Sequence, residues 1–366
     1  MDGSGRFVDP EHLHTNPEPC HGFDRQGGGC RIGQHQVRYR GQRARHPLRQ
    51  LPSIAYPSSD GLPAWPSGDR RKTLFIPVGA LFYEVGPEVT LAADSFRARQ
   101  LHDEYIESPE YMALLRCALG MMKLSHIDLL VVGLPVALFA VKKAALEKAM
   151  TGKHDVGDGR CVTVAKALAV AQPRGALVHY ASVHHKMAEI GKERSLIIDP
   201  GSRTFDWLVA QGMRLVQKQS HSINRGMSDV LRLIAHAITK DIGTPYRDYD
   251  AIDLALRTGK PPFIFQKPYD MKHLMPLAES VADQAVSSMK EWLEAPHSLQ
   301  NIILVGGGAF MFRKAVKAAF PRHRIHEVKE PLFANVRGFQ LAGQNYARSV
   351  LAGERDRAAT EQGGSA

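Results

Sequence analysis

The feature that most constrains this chain is the stretch Ser195-Leu-Ile-Ile-Asp199-Pro-Gly201-Ser202-Arg203-Thr204-Phe-Asp206. Three apolar β-formers deliver a carboxylate at a strand end, a Pro-Gly turn follows, and a second strand departs at once. Such a hairpin can aim successive backbone N–H groups at a phosphate. The glycine lets the backbone come close, and Ser202 and Thr204 add hydroxyl donors. A carboxylate fixed there does not favourably touch phosphate, but it can hold Mg2+ through water or polarise an attacking water. Taken by itself, the same stretch is equally a good β-turn.

A second stretch, Asn301-Ile-Ile-Leu-Val305, ends in Gly306-Gly307-Gly308-Ala309 and runs directly into an amphipathic pattern. Three glycines between a buried strand and a helix start let a flat ligand lie against bare backbone. The free N–H groups of the helix start favour an anionic group nearby. No G-K-[ST] follows, so this is not a Walker A loop, and it is not the G-x-G-x-x-G of a first Rossmann strand.

Between these motifs, strands and helices alternate in an α/β pattern. Strands are expected over 72–77, 127–132, 161–169, 195–199, 301–305 and 324–328, with a hairpin of 205–210 and 214–219 around Gln211-Gly212. Helices are expected over 110–123, 136–150, 174–186, 226–240, 249–257, 274–294 and 335–350, with a Gly/Asp turn at 151–159. The 366 residues suffice for two domains. The longest apolar run, 127–141, is interrupted by Asp128, Gly133 and Pro135, short of the roughly 20 residues a membrane span needs. No apolar leader opens the sequence, so a cytoplasmic protein is expected. Four cysteines without a C-x-x-C pair argue against a disulfide framework or structural zinc. The net charge of +10 is spread along the chain without a basic helix, so direct nucleic-acid binding is not expected.

The first 51 residues differ in texture. From Arg25 to Gln50 there are seven arginines, no lysine and no acidic residue, and no apolar period. The expected organisation is therefore an unreliable or disordered segment over 1–51, an N-terminal domain over 52–170, a C-terminal nucleotide-binding domain over 171–350 and a flexible tail over 351–366.

In this order, the two glycine-containing motifs resemble the second phosphate motif and the adenosine motif of the superfamily that unites actin, heat-shock chaperone ATPases and sugar kinases. Gln172-Pro-Arg-Gly-Ala-Leu resembles the first connecting helix of that superfamily, and Glu330-Pro-Leu-Phe-Ala-Asn335-Val-Arg337-Gly338-Phe resembles the second, in the form found in ParM/StbA-type plasmid actins. Val131-Val-Gly-Leu-Pro135 is similar to the G-L-P segment of their first domain. The resemblance implies two ribonuclease-H-like domains around an ATP cleft, and a filament-forming ATPase of plasmid partition that works with itself and a DNA-binding adaptor. By position, Gln172 would orient the attacking water and Asp199 would serve Mg2+ through water. Gly201, Ser202, Arg203 and Thr204 would face the phosphates, and Gly306, Gly307, Gly308 and Ala309 would flank the adenosine. A metabolite or sugar kinase, or a non-catalytic scaffold on the same fold, are the alternatives.

One element of the resemblance is missing. Relatives open with a first phosphate hairpin, roughly D-x-G-x-x-N-T-K, and no such motif precedes Pro52. Shifted by one nucleotide, codons for Gln26 to Tyr39 accommodate R-A-V-D-V-G-S-G-N-T-K-Y-V-T, which resembles that hairpin. The expectation is that residues 20–51 are translated out of frame.

Overall fold

The computed structural model describes residue 48 and residues 51–58, 71–92 and 105–363, with side chains as far as 350. Nearly all of the segment set apart as 1–51, including the frame-shifted reading, lies outside the described residues.

In the first half, strands β1 (Tyr56–Ser58), β2 (Leu74–Val78) and β3 (Leu81–Val85) form an antiparallel sheet in the order β1-β3-β2. Helix α1 (Pro109–Met121) starts where the Ser108 side chain accepts the Tyr111 N–H, with proline at its first position. Its Ala113, Leu114 and Cys117 pack on Ile76, Tyr83 and Val85. Strand β4 (His126–Leu134) then leads into α2 (Val136–Met150), β5 (Gly152–Asp155) and β6 (Cys161–Ala171). These strands form a sheet in the order β4-β6-β5, with β4 parallel to β6. Helix α2 occupies the expected 136–150, and β5 is a strand where only a turn was expected. With Gly152 at φ +113° and a single buried side chain, His154, it carries no apolar alternation to read.

Helices α3 (Gln172–Val183) and α4 (Met187–Ile190) lead to the second half. Here β7 (Arg194–Pro200), β8 (Phe205–Gln211), β9 (Arg214–Leu215), β10 (His221–Ile223), β13 (Asn301–Leu304) and β14 (Ile325–Glu327) make one mixed sheet. Its order is β10-β8-β7-β13-β14, with β9 on β8. Between β10 and β13 lie α5 (Met227–Ile242), α6 (Tyr249–Thr258), the small hairpin β11–β12 (Phe263–Ile264, Lys267–Pro268) and α7 (Met275–Glu291). Helix α8 (Ala309–Ala319) joins β13 to its parallel neighbour β14.

The second strand of the expected hairpin shrinks to two residues. From Val216 the chain turns, and its groups bond locally: Ser220 Oγ donates to the Val216 carbonyl (2.9 Å) and Trp207 Nε1 to the Gln219 carbonyl (3.1 Å). The last helix, α9 (Ala334–Gly363), runs on past the expected end at 350.

Alternation along the strands sends two sets of side chains to opposite faces of the second sheet. Leu196, Ile198, Phe205, Trp207, Val209, Ile302 and Leu304 meet α5, α7 and α8. Ile197, Leu208, Ala210, Ile303 and Val305 meet α3, together with Val136 at the head of α2. The connecting helices thus exchange sides. Helix α3 follows a strand of the first half and packs on the second sheet, while α9 follows the second sheet and seats Phe339 on Leu129 and Val131 of β4. They cross at glycines: a Cβ on Gly338 would lie 1.7 Å from the Gly175 carbonyl oxygen, so only glycine allows this approach. No helix among the described residues is long and apolar enough to cross a membrane.

Candidate functional site

The carboxyl ends of adjacent parallel strands are where open α/β sheets bind ligands, and the two glycine motifs meet at that edge. β7 and β13 pair in parallel through Leu304↔Ile198. Beyond the pairing, the Gly308 N–H donates to the Pro200 carbonyl at 2.9 Å. The turn after β7 and the glycine loop therefore abut, side by side on one sheet.

The turn is closed by Gly201 N–H on the Thr204 carbonyl (2.8 Å), and its carbonyls are consumed by α5. Met227 N–H donates to the Gly201 carbonyl (3.0 Å) and Ser228 N–H to the Ser202 carbonyl (2.7 Å). Gly226 permits this docking, because a Cβ there would come within 2.6 Å of the Ser202 oxygen. With the carbonyls turned into α5, the amides of Ser202 and Thr204 have no hydrogen-bond acceptor among the described residues. Ser202 Oγ lies 3.2 Å from Ser228 Oγ, and Arg203 is half-buried in the same turn.

The glycine loop contributes less free backbone than its sequence implied. Gly306 N–H is spent on the Pro331 carbonyl (2.9 Å) and Gly308 N–H on Pro200, while the Gly307 amide has no acceptor among the described residues. The Ala309 N–H turns back to Gly306 at 3.3 Å. The Gly307 carbonyl accepts from Arg257 Nη1 (3.0 Å), whose guanidinium lies 4.7 Å from the Phe310 ring centroid and is held at Nε by Asp253 (2.7 Å). This flat cationic wall beside the loop was not read from the sequence.

Two carboxylates stand opposite each other, since Asp199 on β7 pairs in register with Asp206 on β8, and both are about 1% exposed. Like charges in this arrangement repel, and the surroundings give each a different task. Asp206 accepts Thr204 Oγ1 (2.6 Å), the Ser222 hydroxyl and the Val136 N–H (3.3 Å). Ser222 Oγ takes the next amide, Ala137 (3.2 Å). Helix α2 has proline at its N-cap position and no side-chain cap of its own, so the second half caps it. Burial first, then the Asp199 charge, pushes the Asp206 carboxyl up to about 6, against the pull of these hydrogen bonds. Asp199 Oδ2 accepts from Asn335 Nδ2 at 2.5 Å. Asp206 and Asn335 stood inside the motifs without an assigned role. The visible signal was a polar residue in an otherwise apolar strand and one amide at a helix start.

Gln172 is the first residue of α3, with its side chain against Gly133 of β4: a Cβ there would sit 2.9 Å from Gln172 Cγ. It makes no bond to Asp199. The link between them is indirect, because the Ala176 amide, one turn further on, donates to Asn335 Oδ1 at 3.1 Å.

No group of three or more His, Cys, Asp or Glu side chains able to hold a metal occurs among the described residues. Asp199 alone cannot bind Mg2+ tightly. A buried carboxylate such as Asp199, with Asp206 already engaged by Thr204, Ser222 and Val136, does suit an ion whose other ligands are phosphate oxygens and water. The donor set fits Mg2+ brought in with a nucleotide.

These features define a two-domain actin-like fold, and comparison with known proteins places it. Residues 32–175 match the N-terminal domain of actin-like proteins, and residues 197–318 match the C-terminal domain of MreB-like archaeal actin homologues. The chain is thus a member of the actin-like proteins. Among solved structures, the archaeal actin homolog Ta0583 superposes with a TM-score of 0.66 at 21% identity, over 81% of this chain and 93% of that one. The same homolog in complex with ADP gives 0.59 at 21%, over 81% and 90%. A ParM from a 15-stranded filament of Clostridium botulinum gives 0.64 at 21%, over 81% and 93%. No curated protein matches the sequence.

Proposed function

We propose that this chain is a nucleotide-dependent, filament-forming ATPase of plasmid partition, with Mg-ATP at the edge of the second sheet. The observation that carries the reading is the turn between β7 and β8, where two unspent amides, Ser202 and Thr204, lie beside a buried carboxylate and the glycine loop. Amides fixed in this way stabilise phosphate charge without reorganising. Gly201, Ser202, Arg203 and Thr204 hold the phosphates, and Gly306 to Ala309 flank the adenosine against the Arg257–Phe310 wall. Mg2+ neutralises phosphate charge when bound, with Asp199 ordering its water. Gln172, at the head of α3, orients the attacking water, and positioning does most of the catalysis.

The ADP complex of one structural neighbour and the filament formed by another support nucleotide binding and self-association. The string D-P-G-x-R-T-F-D-W with Q-P-x-G-A-L is similar to that of the plasmid actin-like PRTRC system protein D, which favours the partition role, a DNA-binding adaptor and a cytoplasmic location. The test is phosphate release and light scattering with ATP. Asp199→Ala should abolish turnover with the fold intact; hydrolysis at the parent rate would sink the assignment.

A second reading is a scaffold without turnover, because no D-x-G-x-x-N-T-K motif stands in the sequence as written. Strand β13 lies between β7 and β14, yet β4, which holds the same place in its own strand–helix–strand unit, pairs among the described residues only with β6. β4 is nonetheless buried on both faces, by Leu130 and Val132 on one side and Leu129 and Val131 on the other. That pattern belongs to an internal strand.

A further inference from the structure

Asn335 is buried, with 2% exposure, at the first turn of α9. Both ends of its amide are used. Nδ2 donates to Asp199 Oδ2 (2.5 Å), and Oδ1 accepts from the Ala176 N–H of α3 (3.1 Å). The side chain therefore ties together three elements that belong to different parts of the fold: the end of β7, the second turn of α3 and the start of α9. It does so next to the place where α3 and α9 touch backbone to backbone. A Cβ on Gly175 would lie 2.4 Å from the Asn335 carbonyl oxygen, and Gly338, three residues on, meets Gly175 in the same way. A contact this tight has no slack, so a change in the crossing of the two helices has to move the amide.

The chemistry at this position is specific to asparagine. An aspartate would set a carboxylate against a carboxylate. An apolar residue would leave both a buried amide and a buried carboxylate oxygen without this partner, each at a desolvation cost. Only a side chain with a donor and an acceptor on one rigid plane meets both neighbours.

We infer that Asn335 is a positioning residue: it sets the orientation of the Asp199 carboxylate toward the Mg2+-water network of a bound nucleotide, and it couples that orientation to the crossing of α3 and α9. This rests on the nucleotide reading above. Groups that orient a metal-serving carboxylate are worth about 10- to 100-fold in metal affinity.

The test is calorimetric titration of the full chain with ATP, once in Mg2+ and once in EDTA, for the parent, Asn335→Ala, Asp199→Asn and the double variant. Asn335→Ala should cut the gain in ATP affinity conferred by Mg2+ by about tenfold, with the affinity in EDTA within about twofold of the parent. In the Asp199→Asn background the same substitution should change nothing further, because its effect passes through the carboxylate. A Mg2+ gain equal to the parent's would overturn the inference. So would equal losses in both media or additive effects in the cycle, either of which marks a purely structural tie. If Asn335→Ala does not fold, Asn335→Ser serves, since its short uncharged side chain cannot bridge both Asp199 and Ala176, with the same outcomes. A parent chain that binds no ATP in either medium instead overturns the nucleotide reading, and this assignment falls with it. The two failures are read in different samples.

Discussion

Asp206 is held in a way that costs stability at neutral pH, and Asp206→Asn should reveal it. Its carboxyl moves from an ordinary 3.8 to about 6, chiefly through burial and then through the facing Asp199. A shift of about two units corresponds to roughly 3 kcal/mol. For an acid whose folded pKa is raised, the folded chain keeps a proton that the unfolded chain releases. Stability therefore falls as pH rises from about 4 to about 6 and stays reduced above that. Between pH 5 and pH 7.5 the Asp206 contribution should drop by about 1 to 1.5 kcal/mol. Asparagine keeps an oxygen for the Val136 amide and the Ser222 hydroxyl, and its NH2 group can face Thr204 Oγ1, which turns to accept. Urea unfolding followed by tryptophan fluorescence at the two pH values gives the stability of variant and parent. Their difference should move in favour of the variant by that amount at the higher pH. A difference that is the same at both pH values, or moves the other way, would refute the argument.

Gly338→Ala should destabilise the chain by about 3 kcal/mol, although alanine is the better helix former by about 1 kcal/mol, because its Cβ would meet the Gly175 carbonyl at 1.7 Å. Urea midpoints decide it, and an unchanged midpoint would contradict the close crossing. Asp199→Ala should lose ATP turnover while keeping the parent's circular dichroism spectrum, and turnover at the parent rate would contradict its role. A chain re-encoded with the shifted frame over 26–39 should unfold at higher urea and should release phosphate faster; the same midpoint as the written chain would remove the support for that reading.

Much of the fold was legible because the signal was strong where burial is one-sided or complete. The apolar runs Leu196 to Ile198 and Ile302 to Leu304 could only be interior strands, and α2 and α6 are bounded by Pro135 and Gly259. What escaped were short elements whose pairing comes from tertiary contact. β5 and β10 are four and three residues long with little apolar content, and β9 ends where local hydrogen bonds compete with the ladder. At the site, residue types indicated a phosphate turn, but not how the backbone is spent. That α5 takes the turn's carbonyls and leaves two amides follows from Gly226, twenty residues away from Asp206. The partners of Asp199 and Asp206, at Asn335 and Val136, are more distant still in sequence.

The central claim is that one nucleotide lies against both the turn after β7 and the glycine loop. Amide hydrogen exchange of the full chain, with and without Mg-ATP, tests it most directly. Exchange should slow in peptides covering 199–206 and 305–310 together. Exchange unchanged in both segments at saturating nucleotide, or protection confined to a different surface, would contradict it.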